Sequence, residues 1–330
     1  MRSILLLFFP IALFADTGVD SDLEKFQQQE RKFSKGKYIP IGPWLTGPLL
    51  TTSAYTVQKG HFNFEPYVYF IQDIGSFGSN GHFHRAKKRS DAINSVEICQ
   101  LGLTNRVDIN IFPQFTYTYG SGKSHIGMGD LIVGPSFQVI RDDDRYYGTT
   151  FKLGINQVFP SGKYDNLNPV FSGNDGIGNG GYSTKIYAVG SKLFHLYKEN
   201  FLATRSAFSM IFFQPFEVNG ANYFGGGYET KGKLFRGASF IFDIGLELTL
   251  SLHWALALDI ENLYMTASHF KGVTTYRVGN PDSTYMLSFA PAIEYNFNKN
   301  VGVIFGGWFT GYAINATGIY NAVLALNWYI

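Results

Sequence analysis

Cysteine is almost absent from this chain: among 330 residues there is one, Cys99. An internal disulfide and a cysteine-built zinc site are therefore excluded. Charge is also scarce. Charged residues make up 16% of the chain, against roughly 25% in soluble domains, which argues against an ordinary cytosolic enzyme. The formal net charge is only +2, which gives no electrostatic basis for a nucleic-acid partner. Long apolar runs are missing as well. Nothing reaches the roughly 18 residues that a transmembrane helix needs. Glycine, phenylalanine and tyrosine are plentiful, at 37, 31 and 21 residues, and apolar residues reach 45%. That combination points to a sheet protein with a lipid-facing surface.

The first residues read as an export signal. Arg2 supplies a positive start, Ile4 to Phe14 form an apolar stretch too short to span a bilayer, and Ala15 is a small residue at the expected cleavage point. Residues 1–15 are thus expected to be a signal peptide. Asp20 to Lys37 is polar, with a glutamine run at 27–29. Pro40, Gly42, Pro43, Gly47 and Pro48 then break regular structure. Residues 16–60 are read as a periplasmic lead or a plug segment of the barrel. Within it Trp44, Leu45, Leu49 and Leu50 need cover, with the inside of a barrel or its periplasmic rim as candidates.

From His61 onward the hydrophobic period is close to two. Residues 107–118 show it best: Val107, Ile109, Ile111, Phe115 and Tyr117 alternate with Asp108, Asn110, Gln114, Thr116 and Thr118. Similar segments lie near 61–72, 93–103, 129–140, 147–159, 182–196, 201–214, 238–250, 254–266, 284–297, 301–312 and 319–330. Each runs about 11–15 residues, twice the soluble average of about 5–6. At about 3.3 Å per residue and a tilt near 40°, twelve residues rise roughly 30 Å, enough to cross an apolar band. Short connections at 104–106, 141–146, 198–200, 251–253 and 298–300 alternate with longer ones at 73–92, 119–128, 160–181, 215–237, 267–283 and 313–318. Tyr117, Tyr182, Tyr264, Tyr285 and Tyr320 mark the long-loop ends; Phe194, Trp254, Phe297 and Trp328 mark the short-turn ends. These are the two headgroup levels. The expected fold is all-β: a transmembrane antiparallel up-and-down barrel of about 12 strands over 61–330, with both termini periplasmic, in the bacterial outer membrane. No cofactor is implied, and oligomerisation is left open.

Some residues in this register are familiar. Gly129-Asp130-Leu131 opens one strand, and Phe159-Pro160-Ser161-Gly162 ends the next hairpin. Together with Gly42 to Pro48 and Gly60-His61-Phe62, they resemble the outer-membrane barrel family named for the meta-pathway of phenol degradation. That family is related in architecture to the amyloid-secretion porins of pseudomonads. Ser161 stands where its pattern has threonine, and the chain closes on Ile330 where such barrels usually close on an aromatic residue. The resemblance implies a barrel that passes small organic molecules. Barrel assembly machinery and outer-membrane lipid are its expected partners.

The polar face then lines the lumen. Asp243, Glu247, Asp259, Glu261 and Glu294 form an acidic wall, opposed by Lys152, Lys185 and Arg205. Such walls set a transverse field that orients polar solutes; the alternative is mutual neutralisation in a blocked barrel. Arg85, Lys87, Lys88 and Arg89 in the first outer loop are candidates for lipopolysaccharide phosphates. His82 and His84 lack a third metal ligand, and no metal site is expected. A catalytic triad finds no partners in register with His195, His253 or His269, so an enzyme is not expected. The function expected is a channel or transporter for small organic or polar solutes, with a non-conducting surface barrel as the rival.

Overall fold

The computed structural model describes residues 43–86, 91–141, 149–197 and 200–330. The expected signal and most of the lead, together with Lys87, Lys88, Arg89 and Asp142 to Asp144, lie outside the described residues. Eighteen strands are present among those described: β1 (Phe62–Phe77), β2 (Phe83–Arg85), β3 (Asp91–Thr104), β4 (Val107–Phe112), β5 (Gln114–Gly120), β6 (Lys123–Met128), β7 (Leu131–Ile140), β8 (Thr149–Phe159), β9 (Ser183–Tyr197), β10 (Asn200–Phe213), β11 (Phe216–Asn219), β12 (Lys231–Phe235), β13 (Ser239–Thr249), β14 (Trp254–Met265), β15 (His269–Val273), β16 (Thr284–Asn298), β17 (Val301–Ile314) and β18 (Ala316–Tyr329).

Twelve antiparallel staves make the wall, because β4 with β5 and β6 with β7 each form one interrupted stave. The break between β4 and β5 falls at Pro113, which has no N–H to give; its carbonyl still accepts from the Glu97 amide at 3.0 Å. The ladder closes on itself, since β1 pairs with both β3 and β18. The Phe62 and Ile330 backbones exchange hydrogen bonds of 2.9 and 2.8 Å, so the terminal residue completes the seam. Closure leaves no sheet edge in hydrocarbon, the condition that lipid imposes on a strand-built span.

Side chains alternate as the period of two requires. Phe70, Ile111, Phe137, Leu153, Phe208, Phe242, Leu256, Phe305 and Leu324 are exposed on the outer surface. Tyr117, Tyr182, Tyr264 and Tyr320 and, at the opposite end, Phe194, Trp254, Phe297 and Trp328 are also exposed. The loops differ from the expected ones in three places. Residues 119–128 continue β5 and β6 as a hairpin that turns at Ser121 and Gly122, both at positive φ. Residues 215–237 and 267–283 fold into a separate three-stranded sheet, β11–β12–β15. Residues 313–318 shrink to a turn at Asn315, because β17 and β18 extend further than their hydrophobic alternation shows.

Candidate functional site in the barrel lumen

Cross-strand register sorts the lumen into tiers. One row runs Ser209, Ile241, Leu263, Met286 and Ala313 across five neighbouring strands. The next row towards the short turns runs Ala207, Asp243, Glu261 and Ser288. Below it come Arg205, Gly245, Asp259 and Ala290, and then Ala203, Glu247, Ala257 and Ala292. The outer tier is apolar and continues around the barrel through Ile71, Ala92, Ile132, Val158 and Ile211. The inner tier is ionisable. All five residues of the acidic wall and all three of the basic wall face inward and are buried.

The lead occupies the inner tier. Residues 43–60 enter beside the short turns, bend near Leu49 and Leu50 at mid-barrel, and return to Gly60 and β1. Leu45, Leu49, Leu50 and Ala54 pack into apolar clusters, and hydrogen bonds to the wall run along the segment. Asp259 accepts from the Leu50 amide (3.1 Å), the Thr51 amide (2.9 Å) and the Thr51 hydroxyl (2.6 Å). Glu294 accepts from the Thr46 amide at 2.9 Å, and Asn296 accepts from the Thr46 hydroxyl at 3.0 Å. On the far side Val57 donates to Asp108 and Thr56 to Gln138, at 2.9 and 2.8 Å. Lys152 and Arg141 donate to the Tyr55 and Thr56 carbonyls at 3.2 and 2.7 Å. Of the two candidate locations for the buried lead, the structure takes the lumen.

The wall is shaped for this segment. A methyl added at Gly245 would lie 2.7 Å from Pro48 Cγ and 2.9 Å from Thr51 Cβ; one at Gly306 would lie 2.8 Å from Leu49 Cδ1. These distances are shorter than packed atoms tolerate; Gly245 makes room for the lead alone, whereas Gly306 is pressed first by Pro291 and Ala292 of the neighbouring strand. These positions were legible in the sequence only as small residues on the polar face; nothing there names their partner.

The remaining wall charges do other work. Arg205 and Glu247 form a buried ion pair at 3.2 Å, where the acidic and basic walls meet. Glu261 accepts from Ser288 at 3.1 Å, and Ser288 accepts from the Trp308 indole at 2.9 Å. Lys185 lies over the Tyr187 ring, 5.2 Å from its centroid. The structure brings the predicted residues into one lumen but divides them: Asp259, Glu294 and Lys152 hold the lead, while Asp243 and Glu261 stand beneath the apolar tier. Of the predicted lipopolysaccharide cluster, Arg85 is exposed on β2 and the rest lies outside the described residues. The His253 ring bonds the Asn296 carbonyl at 2.7 Å and packs on Trp44, a role in holding the lead.

The motif behind the family resemblance forms a clasp. Asp130 accepts from the Gly162 amide at 2.9 Å and the Asn179 amide at 2.8 Å. Ser161 donates to the Gly129 carbonyl and accepts from the Leu131 amide, at 2.9 and 3.0 Å. The aspartate, the hydroxyl and the two glycines thus pin the loop after β8 to the top of β7. Arg236, in the loop before β13, stacks over Phe213 at 3.9 Å. Desolvation lowers its guanidinium to about 10, which leaves it a cation that offsets Asp130.

No protein-family model matches the chain, and no curated protein matches it. Solved structures do. An outer membrane channel from Pseudomonas putida F1 has a TM-score of 0.64 at 11% identity, covering 84% of this chain and 98% of the channel. The β domain of the Bordetella autotransporter BrkA covers 81% of this chain and 98% of its own at 10% identity, with a TM-score of 0.44. The monoaromatic hydrocarbon channel TodX, as a deletion mutant, covers 84% and 92% at 11% identity, with a TM-score of 0.38. The fold is that of an outer-membrane barrel. The chain is a bacterial outer-membrane protein whose lumen holds its own N-terminal lead.

Proposed function

We propose that the protein is an outer-membrane channel for small organic solutes, closed at its inner tier by residues 43–60 and opened when they withdraw. One observation carries this reading: wall side chains hydrogen-bond the segment across the lumen along its length, from Thr46 to Val57, beside the apolar packing of Leu49 and Leu50. An apolar plug would be a permanent core. Bonds to carboxylates can be exchanged for bonds to water, so the segment can leave. A solute arriving from outside meets the apolar row of Ile241, Leu263 and Met286 first and the carboxylates of Asp243 and Glu261 next. That order suits a molecule with an apolar body and one polar group, and it agrees with the small organic substrates that the meta-pathway resemblance implies.

Once the lead has moved, Asp243, Glu247, Asp259, Glu261 and Glu294 face Lys152, Lys185 and Arg205 across an open passage and set a transverse field. The triple variant Glu247→Gln, Asp259→Asn, Glu261→Gln is then expected to lose cation preference in planar bilayers. The direct test compares the full-length protein with a deletion of residues 43–57 in the same bilayers. The deletion is expected to conduct steadily where the full chain conducts briefly or not at all. A folded deletion variant that passes no ions and admits no small solutes in vesicle-swelling assays would favour a structural barrel instead.

A further inference from the structure

The outer sheet carries a charge pattern that the channel does not use. Its three strands align Glu217, Lys233 and Lys271 in one row and Asn219, Lys231 and Val273 two residues further on the same face. Phe216, Leu234 and Phe270 point the other way, into a small core with Val218 and Phe224. Lys231, Lys233, Lys271 and Val273 are all exposed. Lys233 and Lys271 stand directly opposite each other, a like-charge pairing that weakens a sheet. Among the described residues none of the three lysines has a hydrogen-bond or ion-pair partner. Lys271 lies over the Phe235 ring at 5.3 Å, and Glu217 is the only acid in these rows. Three residues separate β12 from β13, and three separate β14 from β15. The lysine face therefore rises directly from the wall, above the exposed ring of Tyr264 that marks the outer headgroup level.

We infer that Lys231, Lys233 and Lys271 form a binding face for the phosphate groups of the surrounding outer-leaflet glycolipid. A short sheet that places like charges opposite one another gains stability from an anion between them, and the phosphorylated saccharide layer lies at that height on every side. This assigns lipid contact to β12 and β15, a place apart from the first outer loop that carries Arg85. It depends on the membrane placement and not on the channel reading, so either can fail alone.

The test titrates bis-phosphorylated lipid A into the full-length protein in neutral detergent micelles and follows binding by native mass spectrometry. The variant Lys231→Gln, Lys233→Gln, Lys271→Gln is expected to bind roughly 100-fold more weakly, at about a factor of five per lysine. Arg85→Gln is expected to bind as the wild type does. Dephosphorylated lipid A is expected to bind the wild type no better than the phosphorylated form binds the triple variant. Wild-type affinity in a folded triple variant would overturn the inference. So would equal binding of the two lipids, or lysine-dependent binding of inorganic polyphosphate with none of lipid A. Should the triple variant fail to fold, the single reversal Lys233→Glu reads the same dependence.

Discussion

Asp259→Ala isolates the latch of the N-terminal lead. The carboxylate accepts three hydrogen bonds from Leu50 and Thr51 at 2.6–3.1 Å, at the innermost bend of the segment. A hydrogen bond to a charged group contributes about 1.5–3 kcal/mol, and a donor left buried without a partner costs about 1–3 kcal/mol. The three share one acceptor and are not additive, so the net loss should be on the order of 3–4 kcal/mol. At 1.4 kcal/mol per factor of ten, the ratio of withdrawn to seated lead rises roughly 100- to 1,000-fold. Single-channel recordings in planar bilayers read that ratio as open probability. The matched control is Asp243→Asn, which sits one tier further out and, among the described residues, makes no hydrogen bond to the lead. If Asp259→Ala leaves open probability within threefold of wild type while Asp243→Asn raises it, the hydrogen bonds to Asp259 are not what seats the segment.

Gly245→Val is expected to push the lead from its seat by contact with Pro48 and Thr51, at about 1–3 kcal/mol of overpacking, raising open probability without lowering barrel stability in a heat-modifiability gel. Glu247→Leu alone removes the carboxylate that ion-pairs with the buried Arg205 and is expected to lower stability in denaturant melts; the double variant Arg205→Met, Glu247→Leu should recover most of that loss. Asp130→Ala removes the acceptor for the Gly162 and Asn179 amides and should expose residues 160–181 to limited proteolysis, with the strands still protected.

The wall was legible in the sequence because a membrane barrel writes its fold in local terms. Strand length, alternation and turn spacing are all properties of short windows, and the twelve segments from 61–72 to 319–330 match the staves. Residues at strand ends were read less well. Ala313 and Ile314, and Ala316 to Gly318, have no clean alternation, so only pairing with β16 and β1 shows them as strand. Loop strands β11, β12 and β15 were missed for a related reason. Five residues such as Lys231 to Phe235 are too few for a period to stand out among polar neighbours. The residues of the site were visible, but their partners were not. Asp259 and Thr51 are 208 positions apart, and no local pattern records that one receives the other.

The same distance explains why a lumen of this kind keeps its charges. Leu49 and Leu50 already pack with Tyr67, Tyr69 and Ile304 in the barrel core, and that contact alone would hold the lead without setting its register. An apolar wall accepts a sliding segment at many depths with similar energy, because burial is non-directional. Carboxylates at Asp259, Glu294 and Asp108 accept from particular amides at three separate points, and a shift along the wall would have to break all three sets at once. The charges therefore define one seated position, while Gly245 leaves the space for it. A channel closed in this way has a single closed state and many open ones. Closing should consequently show one dwell-time component in single-channel records and opening several, whereas a segment held only by its leucines would show a spread of partly closed conductances.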